Sequence, residues 1–222
     1  MKPVLIDKEK LTLDDVVSIA RQNCPVASSN EGGQRVEQTR ALIQEWVREK
    51  KVIYGITTGF GALCNVPISK ADTRQLQHKI IMSHAAGIGA PLPEDVVRAV
   101  MAVRLHDLFM GYSGCSLKTL QYLMAFLNEG LTPVVPEKGS VGSSGDLAPM
   151  AHLGLVLLGK GEAFYQKQRM DGSRALDEIG LEPLELAAGE GLALINGTQV
   201  MTGIASLVVH DAIRLAKLAD IA

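Results

Sequence analysis

Cysteine is scarce in this chain: Cys24, Cys64 and Cys115 stand far apart, odd in number and with no Cys-x-x-Cys among them. That fits reduced thiols in a cytoplasmic protein rather than a disulfide framework. Net charge is equally slight, −2 spread without blocks of one sign, so no footprint for nucleic acid or for an anionic membrane is present. No apolar run reaches the roughly 18 uninterrupted residues of a membrane span, and the apolar start at residues 4–6 is too short for a secretory leader. His78 and His84 are six apart, off a common helix face, so no metal pair is expected. The phosphate-loop ending Gly-Lys-Ser/Thr is missing, and Gly-x-Ser-x-Gly does not surround Ser144. What is plentiful is apolar material: 47% of 222 residues, ample for a core in one or two domains.

Chemistry is concentrated in one stretch, Gly139-Ser140-Val141-Gly142-Ser143-Ser144-Gly145-Asp146-Leu147-Ala148-Pro149. All but Val141 of residues 139–145 are Gly or Ser, and they run straight into 147–158, apolar nearly throughout and closed by Gly159. A Gly/Ser tract is most often a flexible linker. Here the apolar flanks, Val134 and Val135 before it and the helix after it, hold the tract inside a domain. Asp146 is placed to cap that helix, Pro149 to sit in its first turn and Gly159 to form its left-handed C-terminal cap. The loop thereby meets the positive end of a helix dipole, which stabilises a developing anion. Ser143-Ser144-Gly145 also permits a specific reaction. If the Gly145 nitrogen attacks the Ser143 carbonyl and two waters leave, one of them from the Ser144 side chain, a five-membered ring with an exocyclic methylidene results. Glycine allows the close backbone approach and serine supplies the departing hydroxyl.

With that chemistry in view, residues 140–152 closely resemble the signature of the aromatic amino acid ammonia-lyases, which build 4-methylideneimidazole-5-one (MIO) in this way. The family's usual triad is Ala-Ser-Gly; here Ser143 stands first. Tyr54-Gly55-Ile56-Thr57-Thr58-Gly59-Phe60-Gly61, on its residues a strand or tight loop, resembles the family's second signature. There the tyrosine is the catalytic base and the Thr-Gly-Phe-Gly tail shapes a mobile lid; Thr57 takes the place of a common asparagine. A lone histidine near a helix end is usually structural, but in the resemblance the His84 position selects the substrate ring, and Ser83-His84 matches the branch that uses histidine. Asparagine often closes a strand or opens a helix; the resemblance makes Asn196 a partner of MIO or substrate, and Gln199 agrees with the histidine branch.

The resemblance thus implies catalytic Tyr54, Ser143, Ser144 and Gly145, substrate-binding His84 and Asn196, a self-formed MIO group and no metal. It implies non-oxidative elimination of ammonia from L-histidine to give urocanate, in a homo-oligomer, a tetramer for the full-length family. A lyase or aminomutase for another aromatic amino acid, or a non-catalytic fragment that folds and assembles, are the alternatives. Family members are more than twice this long, so the chain corresponds to their N-terminal part.

Apolar periodicity and caps supply the rest. A strand is expected at 4–6 and helices at 13–22 behind Thr12, at 34–50 with Trp46 in the core, and at 69–82 opened by Ser69. Further helices are expected at 93–110 and from Ser116 to 128, then a hairpin or irregular excursion over 159–168. Arg104, His106 and Asp107 read as a solvated helix face. Residues 200–222 are apolar on nearly every side, hence a helix buried among others, while His210, Asp211, Arg214 and Lys217 argue against a membrane span. The expected fold is mainly α with minor β: an MIO domain of the L-aspartase-like ammonia-lyase fold at 1–195, then the first helix of a bundle at 196–222.

Overall fold

The computed structural model describes residues 1–59, 70–142 and 144–222, without the side chains of 70–74. Two short parallel strands, β1 (Val4–Leu5) and β2 (Val26–Ala27), flank α1 (Leu13–Arg21) in sequence. Thr12 opens α1 with a capping box, its hydroxyl accepting the Asp15 N–H while the Asp15 carboxylate accepts the Thr12 N–H at 2.8 Å. Helix α2 (Asn30–Arg48) starts ahead of the expected residue 34, because Ser29 accepts the Gly32 N–H at 3.1 Å and caps an additional turn. Trp46 is half-buried rather than core, and Leu42 is exposed. The buried stripe of α2 runs through Val36, Arg40 and Ile43; Leu42 and Trp46, an i,i+4 pair, lie on a neighbouring face.

The centre is built from α3 (Lys70–His84), α4 (Glu94–Phe109), α5 (Leu117–Glu129) and α6 (Leu147–Leu157). The expected opening residue of α3, Ser69, lies outside the described residues. Helix α4 buries Met101, Leu105, Leu108 and Phe109 against Leu120, Leu123 and Phe126 of α5, and α6, packed on α3, adds Met150, Leu153 and Leu157 to the same core. Each such side chain contributes about 1.5–3 kcal/mol relative to exposure. Buried Arg98 of α4 donates to the Ile19 carbonyl at 2.9 Å and the Leu127 carbonyl at 3.1 Å, near the C-terminal ends of α1 and α5. A cation is favoured at both places by the helix dipoles.

Strand β3 (Ile88–Pro91) pairs antiparallel with β5 (Pro136–Lys138), and β4 (Thr132–Pro133), β6 (Glu162–Tyr165) and β7 (Gln168–Asp171) form a three-stranded sheet in that order. The excursion expected over 159–168 is a hairpin, β6–β7, whose second strand runs on to Asp171; it is turned by Gln166 and Lys167 at φ 48° and 65°, the left-handed pair a two-residue hairpin favours. Helices α7 (Gly172–Glu178), α8 (Glu190–Ile195) and α9 (Gln199–Ile221) follow. Helix content dominates, as expected.

Helix α9 departs from its expected all-round burial. Val200, Gly203 and Leu207 are buried, on a helix that packs on α4 and α1, whereas Met201, Val208, Leu215 and Leu218 are exposed. The span from Glu190 to Ile221 is long and apolar enough to cross a membrane, at mean hydropathy 1.6, but residues 196–198 break it into α8 and α9. Arg21 of α1 ties α9 down, donating to both carboxylate oxygens of Asp211 at 2.6 and 2.8 Å and to Asp95 of α4 at 3.0 Å. Hydrogen bonds from Arg21, then from His210, hold the Asp211 carboxyl well below the usual range. A depressed carboxylate contributes stability above its unfolded pKa of about 3.9 and loses it as pH falls through the folded value. Asp211→Asn is therefore expected to lower the melting temperature at neutral pH, with the gap to wild type closing as pH drops below about 4.

Candidate active site

The loop entering α6 is compressed against the start of α9. Ser144 is left-handed at φ 63° and Gly145 stands at φ 114°. A Cβ on Gly145 would lie 2.7 Å from the Gly197 carbonyl carbon and nearer still to its oxygen, so only glycine fits. The Asp146 N–H donates to that same Gly197 carbonyl at 2.7 Å. Beside this contact the Ser144 hydroxyl lies 3.5 Å from Asn196 Oδ1, both residues being exposed. Ser143 is outside the described residues.

Asp146 occupies the N-cap position of α6 but makes no side-chain bond to that helix. Its carboxylate accepts the Met201 N–H of α9 at 2.9 Å and the Ser140 hydroxyl at 3.0 Å. The expected cap of α6 is thus corrected: Asp146 caps α9, whose own N-cap residue Thr198 supplies no side-chain cap bond. Its backbone, at φ −97° and ψ 49°, departs from the extended conformation that aims an N-cap side chain at its own helix. Two helix N-termini therefore converge on the loop.

Asn196 closes α8, its N–H donating to the Leu192 carbonyl at 2.9 Å. Arg104, only 2% exposed, grips this helix end. Its guanidinium donates to the carbonyls of Ala193 and, at 3.0 Å, Asn196, and to Asp107 at 3.1 Å; Gln199 donates to Asp107 at 3.2 Å. Burial pushes the Arg104 pKa down while Asp107 opposes the shift. The solvated-face reading holds for exposed Asp107 and is corrected for Arg104, which is buried against the end of α8, and for half-buried His106, whose Nδ1 donates to the Ile6 carbonyl at 2.8 Å. The i,i+3 spacing of Arg104 and Asp107 is the only sequence signal, and surface pairs share it.

His84 ends α3, half-buried, with Nδ1 donating to the Ile80 carbonyl at 2.7 Å. A neutral ring so engaged presents Nε2 as an acceptor. Tyr54 is 55% exposed on a turn in which the Ile53 carbonyl accepts the N–H groups of Ile56 and Thr57. Thr57 staples that turn, accepting the Ile53 N–H at 2.9 Å and donating to Lys51. The tight loop is as expected up to residue 59; the lid assigned to its tail continues outside the described residues. Ile56 abuts Gly189 at the start of α8, the helix whose far end carries Asn196. The structure thus joins Ser144, Gly145 and Asn196 directly, with the Tyr54 turn attached through α8.

Residues 11–222 match the family described as aromatic amino acid lyase, and the chain belongs to that family. Within it, the chain is 54% identical over 217 residues to a histidine ammonia-lyase of Streptococcus gordonii, covering 98% of this chain and 42% of the relative. Among solved structures it resembles a histidine ammonia-lyase from Trypanosoma cruzi at TM-score 0.91 and 36% identity, over 99% of this chain and 42% of that one. A tyrosine aminomutase from Streptomyces globisporus is similar at TM-score 0.93 and 39% identity, over 99% and 41%. The chain spans well under half the length of the curated relatives it matches.

Proposed function

We propose that this chain is the N-terminal portion of a histidine ammonia-lyase, which eliminates ammonia from L-histidine to leave urocanate. The observation that carries the reading is the apposition of the Ser144 hydroxyl and Asn196 at 3.5 Å, over a Gly145–Gly197 contact that admits no side chain. The described residues fit an MIO group: a left-handed serine with an exposed hydroxyl is followed by a glycine in close backbone packing. Ser143, Ser144 and Gly145 would hold it, formed autocatalytically. Once formed, it supplies an electrophile that makes the substrate amine a better leaving group.

The chain's own side chains carry the remaining roles. The N-termini of α6 and α9 favour negative charge developing at the loop. Asn196, its backbone fixed by Arg104, hydrogen-bonds the group or the substrate. Tyr54 takes the β-proton as general base. His84 offers its Nε2 to an imidazole N–H, a donor that phenyl and phenol rings do not have in that place. Residues 1–195 form the MIO-bearing domain and 196–222 the first helix of a bundle. The exposed apolar face of α9 supports its completion by further subunits of a cytoplasmic homotetramer.

Intact mass tests the first step: a value two waters below that of the sequence is expected, and the unmodified mass would favour a non-catalytic fragment. His84→Leu should retain that deficit yet lower kcat/KM for L-histidine roughly a hundredfold, the scale of an unmade hydrogen bond in a specificity pocket. Equal use of L-histidine by variant and parent would defeat the assignment to His84.

A further inference from the structure

We infer that His152 is a positioning residue that fixes the segment following His84 against the Ser144–Gly145 loop, by accepting the Gly87 amide hydrogen. The assignment of a substrate role to His84 rests on the function proposed above; the attachment itself rests on geometry alone.

His152 lies on α6, five residues beyond its first residue Leu147, and is half-buried. Its Nε2 accepts the Gly87 N–H at 3.0 Å. A donor at that distance requires an unprotonated Nε2, so the neutral ring carries its hydrogen on Nδ1. Burial pushes the His152 pKa down, in the direction that keeps the ring neutral.

Gly87 follows His84 by three residues, at the passage from α3 into β3. The passage is narrow. A Cβ on Gly87 would lie 3.0 Å from His152 Nε2 and 3.1 Å from the Lys138 carbonyl, and one on Gly139 would lie 2.9 Å from Gly87 Cα. The backbone therefore threads between α6 and the head of the Gly/Ser loop. Upstream, the Ala86 N–H donates to the His84 carbonyl at 2.8 Å, and the His84 ring is fastened to Ile80 at 2.7 Å. Downstream, Ile88 is in register with Lys138.

The bond to His152 thus links the substrate-ring end of the site to the helix that starts directly after Gly145 and Asp146. Any slip of Gly87 along α6 changes the placement of His84 relative to Ser144. Packing alone would be served as well by leucine. The ring nitrogen adds an acceptor at one point.

The test compares His152→Gln, which keeps an acceptor near the Nε2 position, with His152→Leu, which removes it, in the whole 222-residue chain. Gly87 amide exchange is expected to accelerate at least about tenfold in the leucine variant and to stay near wild type in the glutamine variant. The His84 ring nitrogen resonances should move only in the leucine variant, and its affinity for L-histidine should fall about tenfold. Equal exchange in both variants, or unmoved His84 resonances, would overturn the inference. Nitrogen spectra of the unmutated chain decide independently of folding: a protonated His152 Nε2 would also overturn it. If L-histidine leaves the wild-type His84 resonances undisturbed, it is the substrate reading that fails, while Gly87 exchange still decides the attachment.

Discussion

Gly145→Ala is expected to leave the purified chain at its unmodified mass and, on the function proposed above, to lower ammonia release from L-histidine by the enzyme it belongs to on the order of a thousandfold or more. Two independent obstacles act on the same methyl group. At φ 114° an L-residue is strained, and the Cβ would occupy the space of the Gly197 carbonyl group, whose carbon would be only 2.7 Å away. Relief requires the loop to separate from residue 197, which also breaks the 2.7 Å bond from the Asp146 N–H to the Gly197 carbonyl. The close packing of Gly145 on residue 197 is then lost. Gly142→Ala supplies the control. That residue is also left-handed, at φ 66°, but a Cβ there meets nothing within 4 Å. It should cost about 1–2 kcal/mol of local strain and keep the mass deficit. If Gly145→Ala forms the ring as efficiently as Gly142→Ala does, the close contact with Gly197 has no part in cyclisation.

The same contacts show why parts of this site are legible in the sequence and others are not. Thr12, Ser116 and the glycine ends of α5 and α6 act through neighbours a few residues away, so local patterns reveal them. The hairpin is equally local, decided by the backbone at Gln166 and Lys167. Trp46 misleads because a helix can be apolar over more width than its neighbours cover. Arg104 and Asp146 act over long separations. Arg104 reaches carbonyls at residues 193 and 196, and Asp146 reaches the amide of residue 201. A charged residue on a long helix gives no sign of such partners before the chain is folded. Helix α9 illustrates a further limit: its pattern reports the need for burial, but among the described residues it is the face toward α4 and α1 that meets it.

Glu190 is a buried example of the same long-range logic, and Glu190→Ala is expected to cost about 3–5 kcal/mol of folding stability. The side chain is 1% exposed. One carboxylate oxygen accepts the Ser116 N–H at 2.8 Å and the Thr119 hydroxyl at 2.7 Å, where α5 begins; the other accepts the Ala187 N–H at 2.7 Å. Cys115 also points its sulfur at the first oxygen, at 3.6 Å. Burial first, and then the Glu190 charge, push that thiol's pKa well up, so it remains a protonated donor. Alanine leaves these donors without an acceptor in a dry site. Nearby, the buried Arg40 donates to the carbonyls of Gly114 and Ala188 at 3.0 and 2.8 Å, tying the same two segments together. Glu190→Gln should lose less, about 2 kcal/mol, because one oxygen keeps its partners while the new amide meets the Ala187 N–H donor to donor. Denaturant unfolding at unchanged m-value reads both losses. The site should respond as well, since Glu190 opens the helix that ends at Asn196 and against whose start the Tyr54 turn rests. A Glu190→Ala protein as stable as wild type would mean that water replaces the carboxylate at no cost, and that α8 is held in place by packing rather than by this network.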